Sequence, residues 1–332
     1  MSKVSVIGTT SWATTLAILL ARNGAEVILH SRTEAEASSL QEHRENQRFL
    51  PGFPFPENMN VTANLEDIMT DTEVIVLAVP SQSFTTNVRN LVPGMEKQYI
   101  FVSATKGLES DTSMRMSEIL SRDIPTRFVK GIAVLSGPNL SKEVVSGMPS
   151  ATVIASQNEQ IAGRVQQLFL SKYFRVYTNS DLIGVELGGA LKNILALGAG
   201  ISDGLGFGDN GKSSLITRGL SEVNRLAVAC GANPLTIYGI AGLGDVMATC
   251  TSPLSRNRYV GECIGKGQNL QDVLSAMNNV AEGVYTVPEA LNLASRVGVE
   301  MPITDTIGRV LRGDISPEQS VSDLMTRVPS NE

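Results

Sequence analysis

Two runs of the chain, Glu73–Val79 and Tyr99–Ala104, constrain its fold most strongly because they are apolar at nearly every position. A strand with this pattern is buried on both faces, as in a parallel sheet that helices cover on both sides. The further strands expected from β-branched runs are Lys3–Gly8, Glu26–Ser31, Ile132–Ser136, Ala151–Ala155 and Phe174–Tyr177. Helical stretches separate these strands, beginning with Trp12–Asn23. The alternation predicts an α/β fold with a doubly wound sheet.

The pattern changes after Asp181, where long helical stretches continue without a convincing strand. We therefore expect two domains, with the sheet in residues 1–180 and an all-helical domain in residues 181–332. Residues 38–60 are expected to form an irregular excursion from the first domain. The glycine-dense run Ile201–Gly211 is expected to be a loop between helices, either a substrate-side lid or a plain connector.

Composition limits the class of protein. The chain has 332 residues, 42% apolar and 18% charged, with a net charge of −6, which gives no electrostatic support to binding of nucleic acid or an anionic membrane. No apolar run approaches the roughly 20 residues of a membrane span, and the N-terminus enters a strand without room for a signal peptide. The three cysteines lack metal-ligand spacing, so we expect no metal, reduced thiols and a cytoplasmic location.

The first strand leads into the turn Gly8-Thr-Thr-Ser-Trp-Ala13, which opens a helix. A dinucleotide binds at such a turn, where glycines let its pyrophosphate approach the helix N-terminus. Gly8 matches the first glycine of the fingerprint and Ala13 is a permitted third residue, but Thr10 replaces the second glycine. The motif alone is weak and fits a generic turn, although its context between strand and helix is right. We expect Thr10 to crowd the pyrophosphate, so that Thr10→Gly would tighten cofactor binding.

The end of the second strand reads His30-Ser-Arg32, with no carboxylate before Glu34. A site selective for NAD would carry an acidic residue here, whereas an arginine suits the 2′-phosphate of NADP. Arg32 therefore favours NADPH over NADH. An exposed arginine after a strand explains the residue equally well.

Lys192 is the single cation in the apolar run Val185–Gly200, in which Gly188, Gly189 and Gly198 permit close approach of other backbone. Apolar surroundings suit a lysine to proton transfer near neutral pH, although a lysine that extends to the surface is the usual case. Both histidines lie in the N-terminal half, so a lysine must be considered as the acid or base. Lys106 follows a sheet strand at its carboxyl end, where ligands of this fold collect.

Asp245 follows two glycines, and ten residues later the run Ser255-Arg-Asn-Arg258 groups two guanidinium groups with a hydroxyl and an amide. Arginine matches phosphate oxygens with paired donors, so this run suits a small phosphorylated substrate. A basic turn that caps a helix is the plain alternative. Residues 136–143 likewise either offer backbone amides to a ligand or form only a turn and a helix cap.

The chain resembles the bacterial glycerol-3-phosphate dehydrogenase (NAD(P)+) family from its first strand to about residue 313. Matching stretches are Ala104–Glu109, Leu135–Asn139, Gly184–Asn193, Leu215–Leu220, Gly242–Asp245, Ser255–Arg258 and Val299–Thr304. The resemblance implies a Rossmann-type domain followed by a helical domain. It also implies interconversion of dihydroxyacetone phosphate and sn-glycerol 3-phosphate with NAD(P)H, which supplies glycerophospholipid synthesis. Members of the family are commonly dimers.

The resemblance also implies roles for individual residues. Lys192 would accept the proton in oxidation and donate it in reduction, Lys106 would polarise the carbonyl, and Asp245 would orient Lys192. Substrate-binding positions implied are Lys106, Gly137, Asn139, Lys192, Asn193, Asp245, Thr249, Ser255, Arg256 and Asn257, with Arg256 and Asn257 at the phosphate. Cofactor-binding positions implied are Gly8, Thr10, Ser11, Trp12, Arg32, Lys106, Ser141, Arg256, Val280 and Glu282.

The family usually has glycine where this chain has Thr10, and that departure leaves two alternatives. The chain could be a non-catalytic sensor of glycerol 3-phosphate or a nucleotide, with a degenerate cofactor turn. It could instead be a dehydrogenase for another hydroxy acid. The retained Lys192 and Asp245 argue against the sensor, and the retained Ser255–Asn257 argue against a different substrate.

Overall fold

The computed structural model describes residues 2–277 and 280–327. The described chain divides into two compact units. The first contains the residues up to Glu109 together with Met114–Glu186, and the second contains Ser110–Ser113 and the residues from Leu187 onward. The expected boundary at residue 180 remains a prediction.

The first unit is built on one eight-stranded sheet. Its strands are β1 (Lys3–Ile7), β2 (Glu26–His30), β3 (Met59–Thr62), β4 (Val74–Leu77), β5 (Tyr99–Ser103), β6 (Val129–Ser136), β7 (Ser150–Ala155) and β8 (Phe174–Asn179). They lie in the order β3-β2-β1-β4-β5-β6-β7-β8, and every neighbouring pair is parallel except β6 and β7. The chain reverses direction across the sheet between β1 and β4, and ligands of doubly wound sheets bind beside such a reversal. The predicted fold class is confirmed.

Helices connect these strands. They are α1 (Ser11–Arg22), α2 (Glu34–His43), α3 (Leu65–Met69), α4 (Ser81–Leu91), α5 (Met116–Asp123), α6 (Ser141–Val145) and α7 (Glu159–Phe169). Alternate residues of the central strands enter two separate apolar clusters: Val74 and Val76 belong to one, and Ile75 and Leu77 to the other. Both faces of the sheet are therefore buried, which is why these strands are apolar throughout.

Residues 38–60 differ from the expected irregular excursion. The helix α2 occupies the first part of the segment, and β3 begins at Met59 and pairs with β2. The burial pattern of β3 shows the reason, since only Met59 among its four residues is fully buried. A short edge strand with one buried residue lacks the apolar run by which the other strands were recognised.

Beyond β8 the described residues form helices and turns. The helices are α8 (Leu182–Gly204), α9 (Gly208–Ala229), α10 (Asp245–Thr251), α11 (Arg256–Gly265), α12 (Leu270–Ser275), α13 (Glu282–Val297), α14 (Pro302–Arg312) and α15 (Pro317–Met325). The expected loop Ile201–Gly211 is wrong in extent, because α8 continues to Gly204 and α9 begins at Gly208. A lid of eleven residues is therefore excluded.

The helix α8 also corrects the expectation that no apolar run approaches the length of a membrane span. Its 23 residues are long and apolar enough to cross a membrane by length and composition alone, and 94% of its most apolar window is buried inside the protein. The core helix of a globular protein has the same composition. Its apolar surface packs against its own chain, so it gives only weak support to a membrane span.

Candidate active site

The turn between β1 and α1 requires glycine at its first position. Gly8 has φ of +106°, and a Cβ atom there would lie 2.8 Å from Cγ1 of Val79. Both the backbone conformation and the lack of space therefore exclude a larger residue. Thr10 caps α1: its hydroxyl accepts a hydrogen bond from the Ala13 amide at 3.1 Å and donates to the Ala78 carbonyl at 2.9 Å. The Thr10 side chain, which was expected to crowd the pyrophosphate, thus stabilises the start of α1.

The start of α1 offers unpaired hydrogen-bond donors. Among the described residues, the backbone amides of Thr10, Ser11 and Trp12 donate to no acceptor. The indole Nε1 of Trp12 is buried and also lacks a partner. Unpaired amides at the N-terminus of a helix attract an anion, and here they follow the strand beside the reversal of the sheet. This arrangement fits the pyrophosphate of a dinucleotide.

The end of β2 brings a carboxylate back to the same turn. Arg32 is exposed and makes no hydrogen bond with a described residue, whereas Oε1 of Glu36 accepts a hydrogen bond from the Thr9 hydroxyl at 2.7 Å. Glu36 was not among the residues expected at the site. The sequence pattern that marks it is the capping pair Thr33 and Glu36, three residues apart, which indicates the first turn of a helix. Burial lowers the pKa of His30, although the charge of Glu36 acts in the opposite direction.

The ends of β5 and β6 bring Lys106 and Gly137 together. Nζ of Lys106 donates to the Gly137 carbonyl at 2.8 Å. Gly137 has φ of +155°, and a Cβ there would lie 3.0 Å from the Thr152 Cα. Asn139 donates to the Thr152 hydroxyl at 2.9 Å, and its Oδ1 atom is buried without a partner. Ser141 begins α6, a helix of five residues, so the predicted turn and helix start are both present.

In the helical unit, Lys192 forms a buried ion pair with Asp245. Nζ of Lys192 lies 2.6 Å from Oδ1 of Asp245 and 2.5 Å from the Thr249 hydroxyl, which is 3.2 Å from the same carboxylate oxygen. Lys192 is 8% exposed and Asp245 is 1% exposed. Burial of a charged pair costs free energy unless hydrogen bonds compensate, and Thr249 supplies the additional partner. The cluster holds the ammonium group at one fixed position.

Glycine explains why Lys192 reaches Asp245. A Cβ at Gly188, one turn earlier on α8, would lie 2.9 Å from the Ala241 carbonyl oxygen. The helix therefore approaches the backbone of residues 241–242 closely, as the sequence predicted for this glycine. A π-helical turn, Ile240–Gly244, then leads directly into α10, which starts with Asp245. Such turns are often found at functional sites.

The run Ser255–Arg258 divides its side chains between two tasks. The hydroxyl of Ser255 caps α11 by accepting from the Arg258 amide at 3.3 Å, as the plain alternative predicted. Asn257 donates to Oδ1 of Asn193 at 2.9 Å and accepts from the Gly283 amide at 2.9 Å. Asn257 thereby fixes the residue that follows Lys192.

The two guanidinium groups of this run have different surroundings. The guanidinium of Arg258 is paired with Asp203 at 2.7 Å and with Glu262 at 3.4 Å. Arg256 forms no hydrogen bond with a described residue. Arg256 is exposed to solvent. Desolvation lowers the pKa of its guanidinium, and the charge of Glu282 partly opposes this effect.

Cys250 lies beside the Lys192 cluster and is a free thiol. Burial raises the pKa of its thiol to about 12. The thiol therefore stays protonated at neutral pH and does not act as a nucleophile.

Comparison with known proteins decides the family. Residues 3–162 match the model of the NAD-dependent glycerol-3-phosphate dehydrogenase N-terminus, and residues 181–322 match that of its C-terminus. The chain belongs to this family.

Full-length relatives agree with that membership. The chain is 48% identical to a glycerol-3-phosphate dehydrogenase [NAD(P)+] of Dehalococcoides mccartyi, over 100% of this chain and 93% of the relative. It is 45% identical to a protein of the same name from Pelotomaculum thermopropionicum, over 99% and 95% of the two chains. The crystal structure of glycerol-3-phosphate dehydrogenase from Coxiella burnetii matches with a TM-score of 0.94 and 37% identity, covering 98% of this chain and 99% of that one.

Each unit of this glycerol-3-phosphate dehydrogenase family member gathers part of the expected set. The first unit brings together Gly8, Thr10, Ser11 and Trp12, and separately Lys106 and Gly137. The second joins Lys192, Asp245 and Thr249, and links Asn193 to Asn257. Arg32 and Arg256 stand without hydrogen bonds to described residues, and Val280 is half-buried two residues before Glu282. These assignments to substrate and cofactor remain predictions.

Proposed function

We propose that this chain reduces dihydroxyacetone phosphate reversibly to sn-glycerol 3-phosphate with NADPH. The observation that carries the proposal is the buried cluster of Lys192, Asp245 and Thr249. It holds a proton donor next to the hydrogen-bonded amides of Asn193 and Asn257, in a chain whose relatives are named glycerol-3-phosphate dehydrogenases. A bound nicotinamide would supply the hydride to the second carbon of the substrate. All other steps are assigned to side chains of this chain.

Lys192 is the proposed acid and base. During reduction it donates a proton to the oxygen on the second carbon, and during oxidation it takes that proton back. Asp245 and Thr249 hold its ammonium group in place, so the proton is presented from a fixed point. Lys106 is proposed to polarise the same carbonyl, since a positioned cation stabilises the developing negative charge on oxygen.

Arg256 is the proposed phosphate ligand. Arg256 is exposed, makes no hydrogen bond to a described residue, and lies in the first turn of α11. A bidentate cation at a helix start suits a phosphate group. Asn257, Asn193 and Ser255 are proposed substrate residues, the first two joined by a hydrogen bond. Gly137 and Asn139 are further proposed substrate residues.

The proposed cofactor site is the start of α1, where the backbone amides of Ser11 and Trp12 have no acceptor among the described residues and are available to an anion. Arg32 favours NADPH over NADH, because it follows β2 with no hydrogen bond to a described residue and suits a 2′-phosphate. Ser141, Val280 and Glu282 are further proposed cofactor residues. We also propose a cytoplasmic homodimer without membrane insertion, whose product supplies glycerophospholipid synthesis.

Two alternatives are disfavoured. A sensor would not require the hydrogen-bonded Lys192, whose burial with Asp245 costs free energy without benefit to binding alone. A dehydrogenase for another hydroxy acid is disfavoured by the retained run Ser255–Asn257, which the resemblance assigns to the substrate. The relatives of similar length carry the glycerol-3-phosphate dehydrogenase name.

The test is oxidation of NADPH by the purified protein with dihydroxyacetone phosphate, compared with glyoxylate and other keto acids. We expect turnover with dihydroxyacetone phosphate alone, and a higher kcat/KM with NADPH than with NADH. Substrate binding without turnover would favour the sensor. Turnover confined to keto acids would reject the proposed substrate.

A further inference from the structure

The loop that follows α2 is fastened to the turn before α1 by one buried amide. Asn46 is 2% exposed, and its Nδ2 donates to the Thr9 carbonyl at 2.8 Å and to the Thr14 hydroxyl at 2.8 Å. Its Oδ1 accepts from the Phe49 amide at 3.1 Å. Three hydrogen bonds to three different residues therefore converge on a single side chain.

A second bond runs in the opposite direction, because the Ser11 hydroxyl donates to the Phe49 carbonyl at 2.8 Å. The base of the loop is closed by Arg44, which donates to the Pro56 carbonyl at 2.5 Å and to the Met59 carbonyl at 2.7 Å. Leu50, which lies between Arg44 and Pro56 in the chain, is completely buried in the core of the first unit. The loop of residues 44–56 is thus held in one position beside the turn by these hydrogen bonds and by the burial of Leu50.

The bond from Asn46 determines where the turn presents its donors. In a trans peptide the carbonyl and the following amide point in opposite directions. Since Asn46 holds the Thr9 carbonyl, the Thr10 amide must point away from it. That amide and those of Ser11 and Trp12 donate to no acceptor in the described part of the chain. Without the bond, the Thr9 peptide could rotate and turn a carbonyl oxygen toward the anion.

We propose that Asn46 is a positioning residue for the cofactor, which fixes the turn in the anion-binding form that the second glycine allows in relatives of this family. Asn46 would act through its hydrogen bond to the turn. The proposal rests on the cofactor site proposed above. It assigns a binding task to a segment that the sequence analysis treated as an irregular excursion.

Asn58 provides a matched control. Its Nδ2 also donates to two backbone carbonyls, those of Ala21 and Ala25, at 2.8 and 2.6 Å. These lie at the opposite end of α1, so Asn58→Ala removes a similar amide without touching the turn. A purely structural role for Asn46 predicts the same effect from both substitutions.

The experiment titrates the full-length protein with NADPH and follows fluorescence of Trp12, the single tryptophan of the chain, which lies in the turn. Asn46→Ala is expected to weaken NADPH binding about tenfold, while Asn58→Ala stays within about twofold, since two or three hydrogen bonds are lost in each. In steady state, Asn46→Ala should raise the KM for NADPH and leave kcat and the KM for dihydroxyacetone phosphate nearly unchanged.

Equal NADPH affinity of the two variants would overturn the proposal. If the wild-type protein binds no NADPH, the proposed cofactor site is rejected. If wild type and Asn46→Ala both bind NADPH tightly, the cofactor site stands and only the role of Asn46 is rejected. If Asn46→Ala does not fold, Thr14→Val removes one acceptor of the amide with little change of shape. It should weaken NADPH binding about threefold, and unchanged affinity would again overturn the proposal.

Discussion

The ion pair between Lys192 and Asp245 permits a prediction about stability and catalysis together. Lys192→Met keeps the apolar stem and removes the ammonium group, so the Asp245 carboxylate, 1% exposed, loses its ion pair with Lys192. Removal of one partner of a buried ion pair costs about 3–5 kcal/mol of unfolding free energy. Asp245→Asn should cost a similar amount, because it leaves a buried ammonium group.

The double variant Lys192→Met/Asp245→Asn should lose less stability than either single variant, because neither buried charge remains. Denaturant unfolding of the four proteins, read as a double-mutant cycle, measures this coupling. Turnover should fall by about 100- to 10,000-fold in both Lys192 variants, the range for loss of a general acid. The double variant is therefore stable but inactive, which separates loss of chemistry from loss of folding.

Two results would refute this reasoning. Additive losses of stability would show that the two charges do not compensate each other inside the protein. Turnover by Lys192→Met within about tenfold of wild type would exclude Lys192 as the acid, since the expected loss is at least about 100-fold.

Two further predictions concern Thr10 and Glu222. Thr10→Ser keeps the hydroxyl that caps α1 and removes the methyl group. Because we expect this methyl group to crowd the pyrophosphate, the variant should bind NADPH more tightly in a fluorescence titration. Equal affinity would show that the turn has adapted to Thr10. Thr10→Ala, which loses the cap, should destabilise the protein by about 1 kcal/mol. Burial raises the pKa of Glu222, although the Ile303 amide at 2.6 Å and the Thr304 amide at 3.2 Å act against this. The folded protein then binds more protons than the unfolded chain above the ordinary glutamate pKa, so this residue makes stability fall as pH rises through that window. Glu222→Gln should flatten the curve of unfolding free energy against pH there, and an unchanged slope would contradict the assignment.

Sequence pattern predicted seven of the eight strands and missed β3. The central strands are buried on both faces, which forces apolar runs, and the edge strand β8 still buries Phe174 and Val176 in alternation. The edge strand β3 has one fully buried residue and gives no such run. The helix α2 was missed because its composition is polar, with only Ala37 and Leu40 buried.

The candidate site shows the same division. Lys192 and Asp245 could be suggested individually, since one is a lone cation in an apolar helix and the other follows two glycines. The contacts of Glu36 and Asn46 with Thr9 could not be read from the sequence, because Thr9 lies 27 and 37 residues away from them in the chain. The pairing of Arg258 could not be read from the sequence either, since its partner Asp203 is 55 residues distant.

The sequence by itself determined the layered α/β unit, the helical unit and the residue types that the chemistry needs. Periodicity and burial are local in origin, so they can be read from neighbouring positions. The tertiary structure decided which charges are paired and which donors are left open: it paired Arg258 but not Arg256, turned the Thr10 hydroxyl into a helix cap and fastened the turn through Asn46. Hydrogen bonds between distant residues depend on distance and angle, and these exist only after the chain has folded.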